Sequence, residues 1–311
     1  MLPVGNGWVD RFPLLRFLPL PEVIRLHRYH REEMTLLRSL LDAVRKRIAD
    51  NDAVPPNVVT RLWAKQQEYN INDDELTYLA GSMFGAGSDT TALALGFVMM
   101  AAALFPVEWA RVKAQVDEVV GHSRLPTFED FGELPLVSAF ILESYRWRPV
   151  FRIVRRVISN GYEGTVTLPQ FQKLTGKCLQ NGYLIPAGTT VIGNTWSIMR
   201  DPESFPNPEQ FSMDHWLGPD GKVCDELKVF GFGYGRRVCP GQHIAERSLF
   251  INTALMSWAF DFLEDPSAPI DSMGFIGGGV VRILPYKVII QARQDRDDIE
   301  RLLKTEDVPY Q

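Results

Sequence analysis

Cys239 stands in the run "GFGYGRRVCPGQHIAERSLF", boxed between glycines, Arg236, Arg237 and Pro240, with helical periodicity starting just behind it. A helix N-terminus and neighbouring guanidinium groups both favour thiolate over thiol. A thiolate so placed can act as a nucleophile or as a metal ligand. A nucleophile needs a base; His243 lies one helical turn on, but no third group stands ready to orient it. The plain alternative is a buried structural cysteine, the common fate of an unpaired one. Against that stands the pattern around it. Phe232, Gly235, Arg237, Cys239 and Gly241 spell Phe-x-x-Gly-x-Arg-x-Cys-x-Gly. Five fixed positions arise by chance in about one chain of this length in twenty thousand, so the residues are read as one device.

Two further groups could do chemistry. "AGSDTT" at Ala86–Thr91 places an acid, Asp89, beside an alcohol, Thr90, inside an apolar helical stretch. Alone, a threonine in such a helix usually bonds back to the previous turn. Glu143 and Arg146, in "ILESYRWRP", are three apart and share a helix face, where they can pair. That spacing recurs at Glu22/Arg25 and Glu108/Arg111, so it says little by itself. Only the third pair ends a helix in "RWRP" ahead of a strand-like region.

In order and spacing these motifs resemble those of the cytochrome P-450 family, and the likeness extends from Asp10 to about Arg293 apart from one stretch. The resemblance implies a mainly α fold with a smaller β part, and a haem b (iron protoporphyrin IX) whose axial ligand is Cys239. Phe232 would shield the thiolate, Gly235 and Gly241 would let backbone pass close to the porphyrin, and Arg237 would pair with a propionate. Asp89 and Thr90 would relay protons for oxygen activation. Glu143 and Arg146 would fix the core behind the haem. The implied activity is a haem-thiolate monooxygenase that inserts one atom of dioxygen into a small, lipophilic organic molecule. Electrons would come from an NADPH-dependent flavoprotein reductase carrying FAD and FMN, because no flavin or dinucleotide fingerprint occurs in this chain. Two other readings stay open: a truncated, non-catalytic remnant, and a haem isomerase or dehydratase of the same family that needs no external electrons. The proton-relay pair speaks against the second.

The sequence departs from the family in three places. It resembles only the C-terminal two-thirds, of a fungal microsomal type, with the membrane anchor expected upstream; an intracellular location at the endoplasmic reticulum is expected of a full-length member. His215, in "FSMDHW", stands where the family usually has an arginine that clamps Glu143 and Arg146. Imidazole can reach the carboxylate but cannot offer a bidentate fork. Residues 152–180 follow no family pattern and read as a retained intron or gene-model error, with the pattern resuming at Asn181.

The elements that must position these residues are legible from periodicity. Helices are expected over Glu22 to about Asn51, Pro56–Gln67, Asp73–Phe105, Pro106–Gly121, Leu134–Arg148 and about Gly241–Phe262. Short strands and turns fill the remainder, and "GGGVVRILPYKVIIQAR" should close as a hairpin. The stretch Asp73–Phe105 is long enough to span a bilayer, but Asp89 in its middle would be costly there, which favours a buried central helix. One partial domain over 1–311 is expected, with helices over 1–71, the oxygen-activating helix over 72–105 and further helices over 106–148. The atypical insert at 152–180 and the haem-ligand region over 181–311 complete it. The 311 residues carry 45% apolar side chains and a net charge of −5, which supports a core and gives no nucleic-acid footprint. Cys178, Cys224 and Cys239 are too widely and irregularly spaced for a disulfide framework.

Overall fold

The computed structural model describes residues 12–50, 53–151, 154–155, 178–180, 183–185, 192–224, 230–233, 238–276 and 280–305. The chain divides into two compact units, Met1–Asp89 and Thr90–Gln311.

The first unit is built on α1 (Pro21–Ala49), α2 (Val58–Ala64) and the opening half of α3 (Asp73–Leu104). Proline at the first turn starts α1, where a missing N–H costs nothing. Asn57 and Thr60 cap α2 reciprocally, each side chain bonding the other's backbone N–H at 3.1 and 2.9 Å. Asn72 and Glu75 do the same for α3, at 3.0 and 2.8 Å. Gly81 lets α3 approach α1 closely: a Cβ there would sit 2.4 Å from Leu37 Cδ1. Arg45 grips the Asp73 carboxylate with two N–H groups at 3.0 and 2.8 Å.

Helix α3 runs 32 residues without a break. It is the one helix among the described residues that is long and apolar enough to cross a bilayer, and 39% of its most apolar stretch is buried. A buried central helix is therefore realised only in its C-terminal half. Phe97, Val98, Met100 and Ala101 are sealed in the core, whereas Tyr78, Leu79, Met83 and Phe84 are exposed.

In the second unit, α4 (Pro106–Val119), α5 (Pro135–Trp147) and α7 (Gln242–Ala259) pack pairwise on one another, with the one-turn α6 (Thr195–Ile198) and the terminal α8 (Arg296–Thr305) beside them in sequence. Their shared core holds Trp109, Val116, Phe140, Leu249, Phe250 and Trp258. Trp109 and Phe140 meet with ring centres 5.1 Å apart, and Phe105 stacks on Phe211 at 4.4 Å.

Among the described residues, eight short strands form four antiparallel pairs: β1 (Val154–Arg155) with β4 (Ile192–Gly193), β2 (Cys178–Gln180) with β3 (Tyr183–Ile185), β5 (Phe260–Glu264) with β8 (Val288–Ala292), and β6 (Phe275–Ile276) with β7 (Arg282–Ile283). This corrects the expected terminal hairpin, because β7 and β8 part to different partners. Pro285, which has no N–H to give a ladder, lies between them. Helix α7 also ends earlier than its periodicity suggested. Phe260 turns to extended backbone, and β5 begins there to receive β8. Helix α8 had no counterpart among the expected elements, although Ile299 and Leu302 pack on the core. Most of the atypical stretch 152–180 lies outside the described residues, but its last three residues form β2 and pair with β3.

Candidate functional site

Helix α5 supplies a buried polar group whose hydrogen-bonding capacity is filled. Its period brings Glu143 and Arg146 to one face, and both are 0% exposed. Arg146 donates from Nε and Nη2 to the two carboxylate oxygens, each at 2.7 Å. Its remaining protons go to the carbonyls of Met199 at 3.2 Å, Pro208 at 2.6 Å and Gln210 at 2.8 Å. The carboxylate also accepts the Ser212 amide at 2.8 Å and Trp216 Nε1–H at 2.9 Å. His215 completes the group, its Nδ1 3.3 and 3.4 Å from the two carboxylate oxygens and its Nε2 2.9 Å from the Pro206 carbonyl. Burial alone would push the Glu143 carboxyl up, but the hydrogen bonds from Arg146, His215 and Ser212 prevail and hold it below its ordinary range.

Sequence reasoning anticipated Glu143, Arg146 and His215 but not Trp216, whose indole replaces part of what an arginine fork would give. An aromatic directly after His215 was the available signal. The comparison pair of equal spacing behaves differently: Arg111 reaches Glu108 at 2.9 Å and Asp214 at 2.7 Å, but at the protein surface. Burial, not spacing, separates the two.

The Cys239 loop is tied by its own backbone. The Cys239 amide donates to the Phe232 carbonyl at 2.9 Å, and Gln242 N–H returns to the Cys239 carbonyl at 3.3 Å. Gly233 takes φ +78°, a left-handed turn that favours glycine, and this requirement was not among the expected motif positions. Gly241 is the residue from which α7 starts, and a Cβ there would lie 3.9 Å from Cys239 Sγ. Phe232 packs edge-on to Tyr145 of α5 with ring centres 5.4 Å apart, which joins the loop to the helix that carries Glu143 and Arg146. Burial, then the charges of Glu246 and Cys239, push the Tyr145 phenol well up. Cys239 is a free, half-buried thiol. His243 is exposed, and its nearest acidic partner is Glu246 at 3.9 Å, so no base faces the sulfur from that side. Gly235 and Arg237 lie outside the described residues.

Asp89 and Thr90 follow one another on α3, both half-buried; Asp89 closes the first unit and Thr90 opens the second. The turn before them is exposed, and Ser88 Oγ bonds back to the Phe84 carbonyl at 2.7 Å. A Cβ on Gly85 or Gly87 would meet no protein atom within 4 Å, so packing inside the chain does not demand glycine there.

The donor set suits a macrocycle-held metal. Among the described residues no three His, Cys, Asp or Glu side chains converge as a metal-binding cluster. A single soft sulfur donor at the head of α7 fits an iron whose other ligands come from a porphyrin.

Comparison with known proteins agrees. The family model described as Cytochrome P450 matches residues 5–290. Cytochrome P450 monooxygenase 64 of Postia placenta is 46% identical over 302 residues, which are 97% of this chain and 57% of that protein. Cytochrome P450 monooxygenase ARMGADRAFT_1018420 of Armillaria gallica is 33% identical over 93% of this chain and 56% of its own length. The monooxygenase drtD of Aspergillus calidoustus is 35% identical over 93% and 52%. The chain thus spans just over half the length of these relatives. A cysteine loop at the head of α7, backed by a buried Glu–Arg pair on α5, and a family match over most of the sequence lead to one conclusion: the chain belongs to the cytochrome P450 family.

Proposed function

We propose that the protein works as a haem-thiolate monooxygenase on a small, lipophilic organic substrate, with electrons delivered by an NADPH-dependent flavoprotein reductase at the endoplasmic reticulum. The observation that carries this reading is the Cys239 loop. Its amide is tied to Phe232, its sulfur lies at the start of α7, and Phe232 is braced by Tyr145. The relatives' shared designation as monooxygenases supports the same activity.

In this reading the Cys239 sulfur would hold haem b, which when bound would supply the redox chemistry that activates dioxygen. The protein's own residues do the rest. The head of α7 would present the sulfur to the iron. Phe232 excludes water from it, while Gly235, Gly241 and Arg237 accommodate the macrocycle and its propionate. Asp89 and Thr90 would hold and pass protons. Glu143, Arg146 and His215 hold the 206–216 loop against α5. The Asp89–Thr90 pair disfavours an electron-independent isomerase, which has no use for a proton relay.

The test is the carbon monoxide difference spectrum of the reduced protein. Thiolate ligation gives a strongly red-shifted Soret band, and Cys239→Ala should abolish it while leaving helix content intact. A variant that keeps the thiolate-type band would move the ligand to Cys178 or Cys224 and overturn the assignment.

A further inference from the structure

His215 sits between two groups that can only accept. Its Nδ1 faces the Glu143 carboxylate, 3.3 Å from Oε1 and 3.4 Å from Oε2, and its Nε2 faces the Pro206 carbonyl at 2.9 Å. A neutral imidazole carries one N–H and one lone pair. Either tautomer would therefore aim a lone pair at an oxygen, at the carboxylate in one case and at the carbonyl in the other. Only the imidazolium satisfies both contacts. From α5 the ring meets Glu143, which attracts the charge, and Arg146, which repels it; from the preceding loop it meets the Pro206 carbonyl and the edge of Phe205. Asp214, next in the chain, is committed to Arg111 at 2.7 Å. The Glu143 hydrogen bond is the largest influence and raises the ring's affinity for its proton against the opposing effect of burial.

We propose that His215 is a protonation-dependent clamp: charged, it bridges Glu143 of α5 to the Pro206 carbonyl of the 206–216 loop, and its deprotonation gives up that bridge and loosens the start of the loop, while Arg146, Ser212 and Trp216 keep their own bonds. An arginine at this place would carry a permanent charge, whereas the histidine gives a titratable clamp. The consequence has a definite sign. In the unfolded chain the ring titrates near its ordinary value of about 6.5, and in the folded chain above it. The stability gained is complete below the unfolded value and is lost as pH rises through the folded one.

Thermal unfolding of the whole chain, followed by circular dichroism across mildly acid to mildly alkaline pH, tests this. The wild-type midpoint should fall as pH rises above about 6.5, whereas His215→Arg should stay flat over the same window. The difference between the two curves removes every other titrating group. In parallel, the His215 ring carbon signal, identified by its loss in His215→Gln, should titrate above about 6.5. Equal pH slopes for wild type and His215→Arg would overturn the titratable clamp. A ring midpoint at or below the ordinary value would overturn it too, even where His215→Arg failed to fold.

Discussion

At the scale of single residues, the same Glu-x-x-Arg spacing gives two pairs with opposite importance, and burial decides between them. Glu143→Gln would leave the Arg146 guanidinium at 0% exposure without its counter-charge. Breaking a buried pair from one side costs about 3–5 kcal/mol. Glu108→Gln touches a pair in which Arg111 keeps Asp214 as a second partner, and should cost under about 1 kcal/mol. Urea unfolding of the two variants measures both; comparable losses would mean that the α5 pair is not the anchor its contacts suggest. Thr90→Ala tests a proposed chemical role instead. In haem-loaded protein that turns over, it should raise the hydrogen peroxide released per NADPH consumed and lower product in proportion. Unchanged coupling would return Thr90 to the plain role of a helical threonine.

At the scale of elements, helix ends and cross-links set where the site sits. Helix α4 ends at Gly121, whose φ of +70° is the left-handed conformation that a side chain resists. Its carbonyl also receives Trp258 Nε1–H of α7 at 2.8 Å, so this turn fastens α4 to the helix that follows Cys239. No neighbour would clash with a Cβ at Gly121, so Gly121→Ala isolates the backbone term and should cost about 1 kcal/mol. A loss well above that would mean that the Trp258 contact fails as well. Farther along, Tyr286 Oη donates to the Gly96 carbonyl of α3 at 2.6 Å, which pins that helix six residues past Thr90. Tyr286→Phe should cost about 0.5–1.5 kcal/mol and speed amide exchange in the last turns of α3 ahead of global unfolding. The helices were readable in advance because proline at the first turn and asparagine or glycine at the ends act locally. The β pairing was not. Strands of two to five residues carry no periodicity of their own, and β8 finds β5 rather than β7 through contacts distant in sequence. The site shows the same division. Cys239 announced itself by its motif, and Glu143 and Arg146 by their place on a helix ending in "RWRP", whereas Gly233, Tyr145 and Trp216 acquire meaning only in the folded chain.

At the scale of the whole molecule, the two units differ in how much core they own. Among the described residues of the first unit, only Val23, Met34, Leu41 and Leu76 are buried apolar side chains. The same unit exposes Leu36 and Leu40 on α1, and Tyr78, Leu79, Met83 and Phe84 on α3, the last at 76%. Its polar links, Arg38 to Asp74 and Arg45 to Asp73, are solvent-facing and contribute little each. The second unit, by contrast, closes three helices over a continuous aromatic core. Soluble monomers seldom show apolar patches beyond a few hundred Å², and at about 25 cal/mol per Å² some 400 Å² left in water forfeits roughly 10 kcal/mol. That is on the order of a domain's whole net stability. The 311-residue chain expressed by itself should therefore self-associate at micromolar concentration and return to monomer in mild detergent, as read by size-exclusion chromatography with light scattering. Amide exchange should be fast through α1, α2 and the opening half of α3, and slow in α4, α5 and α7. A monodisperse monomer without detergent, with even protection across both units, would mean that the first unit covers its apolar face unaided.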